Sequence, residues 1–189
     1  MNPTRRPRAD GRRNRERLLA EADVTFRKRG VGAPLDGVAR RAGVAIGTLY
    51  GHFPDRRALL GALLRDRNEA LFDAGEKLTG QPPEAALRRW VDLVVEHAAT
   101  YQGLATMLAE GADDEASELH TSCARMTAIG EQLVANAAGA GVLRPEVTGA
   151  DLWALMNAGA WTREHVSADQ ADRLVGYVID GMLEARPGS

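Results

Sequence analysis

Apolar residues recur every three or four positions along most of the chain, the spacing of a helix that buries one face. The pattern is clear where Leu87, Trp90, Val94, His97 and Tyr101 follow one another. No segment alternates apolar and polar residues, so no strand is indicated. We therefore predict an all-α protein with helices over 12–29, 35–42, 45–52, 55–78 and 103–110, and with further helices that begin near Pro83, Asp113, Thr148 and Ser167.

Basic residues are concentrated in the first third of the chain. Residues 1–67 contain 16 Lys and Arg and 7 Asp and Glu, whereas residues 68–189 contain 8 and 19. A basic segment joined to an acidic remainder is typical of a nucleic-acid-binding module followed by a domain of another kind. A solvated Arg-rich tail would produce the same imbalance and remains an alternative.

Other features of the sequence exclude several classes of protein. The 189 residues include one cysteine, Cys123, so a disulfide within the chain is excluded and a cytoplasmic protein is expected. No apolar run of membrane-spanning length and no secretory signal is found, so no membrane partner is expected. We find no phosphate-binding loop, catalytic triad or matched carboxylate pair. His120 and Cys123 could share one helix face, but no third ligand follows from the spacing. We expect neither an enzyme nor a cofactor or metal site.

The segment Leu35–Phe53 carries the most specific pattern. Two short helices joined by a turn at Gly43 form a helix-turn-helix arrangement, because glycine can adopt the positive φ that ends the first helix. The apolar residues of the motif would bury against Phe26. The outward positions of the second helix would then face a DNA major groove: Ala45, Ile46, Gly47, Thr48, Tyr50, Gly51 and His52.

Arg56 and Arg57 stand at the start of the next predicted helix. Cations at that end oppose the helix dipole, and DNA phosphates placed there would remove the conflict. The alternative is that both side chains point to solvent.

Residues 43–60, Gly-Val-Ala-Ile-Gly-Thr-Leu-Tyr-Gly-His-Phe-Pro-Asp-Arg-Arg-Ala-Leu-Leu, resemble the tetracycline-repressor (TetR) family of bacterial transcriptional regulators. The close resemblance covers residues 12–65, and the remainder is similar only in architecture. It implies an N-terminal three-helix DNA-binding domain and a C-terminal helical domain for ligand binding and dimerisation. It also implies a homodimer that binds a palindromic DNA operator and is released by a small-molecule effector.

The resemblance implies contacts with DNA at four positions of the motif, Thr48, Tyr50, His52 and Arg56. The motif also departs from the family. Ala45 stands where serine is frequent, so the usual helix cap is missing. Ile46 stands where lysine is frequent, and Gly51 where a larger residue is frequent. Base recognition would then depend on Thr48, on contact of Ile46 with a thymine methyl group and on backbone groups.

Three regions follow from these patterns: a flexible Arg-rich arm over residues 1–11, a DNA-binding domain over 12–54 and a ligand-binding and dimerisation domain over 55–186. Arginines of the arm and Arg12 could enter the minor groove or supply electrostatic affinity. The alternative for the arm is a disordered tail with only non-specific attraction to DNA.

An effector pocket would need apolar side chains with a few polar groups among them. The candidates are Trp90, Val94, His97, Tyr101, Met107, Cys123, Met126, Trp153, Asn157 and Trp161. Each of them could instead be an ordinary core residue, and the protein would then be a DNA-binding regulator without an effector. The dimer is expected to form through the last two helices, where Leu174, Val178, Ile179 and Met182 form an apolar face.

Overall fold

The computed structural model describes residues 5–110 and 118–183. Within these ranges the chain is helical, and apart from one isolated bridge between Leu143 and Leu183 it has no β-structure. The all-α prediction is confirmed. The helices are α1 Arg5–Arg29, α2 Leu35–Arg41, α3 Ile46–His52, α4 Arg56–Leu78, α5 Pro83–Ala98, α6 Leu104–Glu110, α7 Glu118–Gly139, α8 Gly149–His165 and α9 Ala168–Met182.

The first helix is longer than the sequence pattern indicated. It begins at Arg5, so residues 5–11, which the sequence pattern assigned to a flexible arm, are helical. Arginine and alanine favour helix, and Pro7 is tolerated because the first turn needs no N–H from it. Residues 1–4 of the expected arm lie outside the described residues.

Most predicted helix ends are confirmed. Gly30 and Gly43 have φ angles of +73° and +69°, which allows them to end α1 and α2. Asp55 caps α4 by accepting a hydrogen bond from the Ala58 amide at 2.7 Å. Thr148 and Ser167 cap α8 and α9. The acidic helix start expected at Asp113 lies outside the described residues.

The first hydrophobic core holds the helix-turn-helix in place. Val38, Leu49 and Phe53 are buried there with Phe26, as the motif predicted, whereas Val44 packs against this core but is only partly buried. The same core also includes residues that follow α4 in sequence, namely Tyr101, Leu104 and Leu119. The DNA-binding domain is therefore completed by side chains from beyond residue 54, the boundary that the sequence suggested.

The second core fills the C-terminal domain between α4, α5, α7, α8 and α9. Trp90 lies at its centre with none of its surface exposed. A Cβ atom at Gly75 would lie 2.5 Å from the Trp90 ring, and one at Gly130 would lie 3.2 Å from Trp90 Nε1. The two glycines therefore make the space that this indole occupies.

The two cores meet at the turn between α5 and α6. The Tyr101 hydroxyl donates to Asp23 Oδ1 of α1 at 2.6 Å, and its ring packs edge-on against Phe26. The Val31 amide donates to the Gln102 carbonyl at 2.9 Å. These contacts attach the C-terminal end of α5 to the DNA-binding domain. In the described part of the chain, no helix has the length and apolar content to cross a membrane.

Candidate functional site

The turn of the helix-turn-helix is built on glycine. The Val44 amide donates to the Ala39 carbonyl at 3.0 Å, which closes the turn around Gly43. The guanidinium of Arg17 lies directly over Gly43, where a side chain would stand. Because Arg17 is flexible and could move aside, it is the positive φ of this residue that favours glycine there.

Helix α3 starts without a side-chain cap. Ala45 occupies the cap position and offers no hydrogen-bond acceptor in its side chain, as the departure from the family motif indicated. The Thr48 amide instead donates to the Ala45 carbonyl at 2.9 Å. Leu49 and Phe53 attach the helix to the first core, and no more than 2% of the surface of either residue is exposed.

The outer face of α3 is not covered by the described part of the chain. Ala45, Gly47 and Tyr50 are exposed, and Tyr50 has 49% of its surface accessible. A Cβ atom at Gly47 would meet nothing within 4 Å, and the same is true of Gly51. The remaining candidates, Ile46, Thr48 and His52, are half-buried along the edges of this face.

The Arg-rich N-terminal part of α1 lies close to the end of α3, where the Arg15 guanidinium is 5.3 Å from the centre of the Phe53 ring. A Cβ atom at Gly11 would lie 4.0 Å from His52 Cε1, so the N-terminal part of α1 passes the end of α3. The side chain of Arg12 is 78% exposed, and its nitrogen lies 3.9 Å from a carboxylate oxygen of Glu16. An ion pair so long and exposed contributes little to stability. It leaves Arg12 able to turn toward a phosphate.

Arg56 differs from the other predicted DNA contacts. Its guanidinium is half-buried and donates to the carbonyl oxygens of Val31 and Ala33, in the second case at 2.6 Å. These carbonyls belong to the segment between α1 and α2. Arg56 therefore connects the start of α4 to that segment, a structural role that the dipole argument did not anticipate. The neighbouring Arg57 donates to the Met107 carbonyl at 3.2 Å and so does not simply point to solvent.

The residues predicted to bind an effector are divided between the two cores and the surface of the bundle. Trp90, Val94 and Met126 are buried in the second core, and Trp153 packs against it. Tyr101 and Met107 belong to the first core instead.

The remaining candidates lie at or near the surface of the bundle. Trp161 is 52% exposed and stacks on His165 at 4.0 Å between ring centroids. Asn157 uses its amide to donate to the Trp153 carbonyl at 2.9 Å. Cys123 is half-buried, and burial raises the pKa of its thiol to about 11, so it is an un-ionised thiol at neutral pH.

His97 is the one predicted ligand residue that lines a described cavity. The cavity has a volume of about 280 Å³ and opens between α4 and α5; its lining residues are Arg67, Ala70, Leu71, Ala74, Leu93, Glu96 and His97. Burial and the positive charge of Arg67 lower the pKa of His97 to about 4, so the imidazole is neutral. The four α4 residues of this lining were not among the sequence candidates, because only the packing of α4 on α5 places them beside His97.

A second apolar surface lies on α8 and α9. Trp161, Leu174, Tyr177 and Val178 are large apolar or aromatic residues with at least 46% of their surface exposed. Ile179 and Met182 were expected on the same face, but Ile179 is buried in the second core and Met182 packs against it.

This architecture is that of a helix-turn-helix protein with a helical C-terminal domain. Two sequence profiles match the chain: "Bacterial regulatory proteins, tetR family" over residues 18–63 and "Transcriptional regulator SbtR-like, C-terminal domain" over residues 82–184. The second match covers more than half of the chain. The protein belongs to the TetR family, whose members are DNA-binding transcriptional regulators and not enzymes.

Individual relatives agree with this assignment. A TetR transcriptional regulator from Streptomyces coelicolor is 32% identical, with a TM-score of 0.59, and the match covers 90% of this chain and 99% of that one. The HTH-type transcriptional regulator TtgW of Pseudomonas putida is 34% identical over 92 residues, which is 48% of this chain and 65% of that protein. A transcriptional regulator from Saccharomonospora viridis, crystallised with choline, shares the fold at a TM-score of 0.64, with 17% identity over 90% of this chain and 98% of that one.

Proposed function

We propose that the protein is a homodimeric repressor that binds a palindromic operator and is released by a small apolar or amphipathic ligand. The observation that carries this proposal is the uncovered outer face of α3, bordered by the basic N-terminal half of α1. A helix with one face buried and the other open to solvent can enter a major groove without rearrangement of the domain.

The side chains of α3 determine which groups of the DNA this interface could recognise. Thr48, Tyr50 and His52 can donate or accept hydrogen bonds at phosphates or base edges, and Ile46 can contact a thymine methyl group. Gly47 and Gly51 have no side chains, so the backbone of α3 can approach the DNA closely. Arg12 and the other arginines of α1 would add sequence-independent affinity for phosphates.

A homodimer is suited to a palindromic operator, because each copy can bind one half-site. The exposed apolar side chains of α8 and α9 are well placed to pair with the same surface of a second copy. The two α3 helices would then have to lie about 34–36 Å apart to enter successive major grooves on one side of the duplex.

Ligand release would act on that spacing. Helix α4 runs from the DNA-binding domain into the C-terminal domain, so a shift of α4 would move α3. A ligand can produce that shift only if it binds the form released from DNA more tightly than the DNA-bound form. The Saccharomonospora viridis structure supports this part of the proposal, because a protein of the same fold holds a small organic molecule.

One observation favours the alternative of a regulator without an effector. The Trp90 side chain fills the centre of the C-terminal domain between Gly75 and Gly130. An effector site at that position would require the indole to move. Under the alternative, no small molecule changes the affinity for the operator.

The test is selection of bound sequences from random duplex DNA at physiological salt, followed by affinity measurement on the selected duplex. We expect an enriched palindrome with a half-site spacing that suits a dimer, and weaker enrichment of that palindrome by Tyr50→Ala. The matched control is Lys77→Gln, which removes a positive charge at the opposite end of α4. Failure of a folded dimeric protein to enrich any sequence would contradict the proposal.

A further inference from the structure

We propose that the groove between α4 and α5 is the effector site and that its ligand is a small carboxylate with a flat apolar body. This inference rests on the proposed function and adds to it the place and the chemistry of the ligand. The groove is lined on one side by Arg67, Leu71 and Ala74, and on the other by Leu93 and His97.

The first argument is a buried polar side chain that lines the cavity and has no partner within the described part of the chain. Only 5% of the His97 surface is exposed, and its imidazole, which lines the groove, is affected by burial and by the charge of Arg67 but by no hydrogen bond from the described residues. Buried polar side chains are nearly always hydrogen-bonded. The reason is that a polar group removed from water is destabilised unless a new hydrogen-bond partner replaces the water. A ligand in the groove would supply the missing partner.

The second argument is the charge at the groove. Arg67 donates one hydrogen bond, from Nη2 to Thr100 Oγ1 at 2.8 Å, and a guanidinium has five N–H groups. Arg67 is also the neighbouring charge that acts on His97, and together with burial it keeps the imidazole neutral. A neutral imidazole can donate its N–H to an anion, and Arg67 can pair with the same anion. Glu96 lines the groove at its exposed rim.

The third argument is the size and character of the walls. Ala70, Leu71, Ala74 and Leu93 present methyl and methylene groups, and the two alanines leave room between the helices. A volume of about 280 Å³ lies near the lower end for ligand pockets and suits a molecule of about one ring. The occupant is therefore a ring-sized carboxylate rather than a long lipid or a macromolecule.

Hydrogen bonds also connect the groove to the DNA-binding domain. Arg67 holds Thr100, and the next residue, Tyr101, is buried in the first core and donates to Asp23 of α1. A ligand that draws Arg67 into the groove would loosen the bond to Thr100. That change would act on the turn that attaches α5 to the domain that carries α3.

The experiment uses benzoate as the probe and benzamide as its uncharged counterpart. Binding is followed on the full-length protein by the imidazole proton signals of its four histidines, with the His97 signal assigned from His97→Gln. We expect millimolar benzoate to shift the His97 signal, benzamide to bind about tenfold more weakly or worse, and Arg67→Gln to weaken benzoate about tenfold. Lys77→Gln, the matched loss of one positive charge from α4, should leave benzoate binding unchanged.

A second variant tests the groove without removing a charge. Ala70 is exposed at the mouth of the groove, so Ala70→Phe should fill the groove, abolish benzoate binding and leave the fold intact. The inference is overturned if benzoate does not shift His97, if benzamide binds as well, or if benzoate binds Arg67→Gln or Ala70→Phe unchanged. Operator binding measured on the same samples separates the two proposals, since it persists if only the effector site is wrong.

Discussion

The candidate functional side chains are exposed in the DNA-binding domain and buried in the C-terminal domain. In the first, Tyr50 and Arg12 project from a compact apolar core into solvent. In the second, Trp90 and His97 are buried in the bundle, and the indole N–H of Trp90 makes no hydrogen bond with the residues that the structure describes. The difference shows that a surface for DNA follows from a local motif, whereas a site inside a helical bundle depends on which helices pack together.

Helix α4 belongs to both domains. At its start, Arg56 is bonded to the carbonyls of Val31 and Ala33. Further along, Asn68 donates to Ser122 of α7 at 2.9 Å in a buried position. Arg125 of α7 pairs with Glu69 and Glu76 and lies over the Phe72 ring at 4.2 Å; its side chain is 43% exposed, so these ion pairs orient α4 more than they stabilise it.

The largest effect is expected for Trp90→Ala. Loss of a fully buried indole wedged between Gly75 and Gly130 leaves a cavity and should lower the free energy of unfolding by about 3–5 kcal/mol. Chemical denaturation monitored by circular dichroism measures it. Trp161→Ala is the comparison: Trp161 is half-exposed, so any loss there should depend on protein concentration if it lies in a dimer interface. A small, concentration-dependent loss for Trp90→Ala would contradict the filled core.

A second prediction concerns the buried His97. Its folded pKa of about 4 lies below the ordinary value of 6.5, so the unfolded chain binds more protons between these two pH values. This contribution to stability is therefore complete above pH 6.5 and is lost as the pH falls toward 4. Between pH 7 and pH 5 we expect a loss of about 2 kcal/mol.

The measurement is urea denaturation of the wild type and His97→Gln across this range. Carboxylates titrate in both proteins, so the difference between the two curves isolates the imidazole. Parallel curves would show that His97 is accessible to protons in the folded protein and would weaken the contrast between the two domains.

The sequence predicted the DNA-binding half well because its constraints are local. A positive φ at Gly43 and a buried Phe53 follow from a turn and a helix only a few residues long. The structural role of Arg56 could not be predicted, because nothing in the neighbouring sequence shows that the carbonyls of Val31 and Ala33 come within its reach.

The C-terminal half was harder for the same reason. Trp90, Tyr101 and Trp161 all recur at helical spacing, yet one fills the second core, one completes the first core and one faces solvent. Periodicity identifies a buried face but not the helix that covers it. Arg67 and His97 lie 30 positions apart in the sequence, and only the pairing of α4 with α5 makes them neighbours.

The third prediction concerns Arg56 and separates its role in the fold from any contact with DNA. Arg56→Ala leaves the carbonyls of Val31 and Ala33 without their donor, and should lower the free energy of unfolding by about 1–2 kcal/mol even without DNA. Arg40→Ala is the matched control, because Arg40 is an exposed arginine of α2. Equal thermal stability of the two variants would show that the Arg56 bonds contribute nothing to the fold.

The smallest effect on the protein itself, and the most informative about DNA, is expected for Tyr50→Ala. Its side chain is half exposed on the outer face of α3, so the melting temperature should be unchanged. Affinity for the selected operator should fall about tenfold, because one contact of roughly 1–3 kcal/mol is lost. Arg12→Gln should instead weaken binding to all duplexes and reduce the slope of affinity against salt concentration by about one. If Tyr50→Ala lowered stability but left operator affinity intact, the open face of α3 would not be the DNA-binding surface. The contrast between exposed functional side chains in the DNA-binding domain and buried ones in the C-terminal domain would then be wrong for α3.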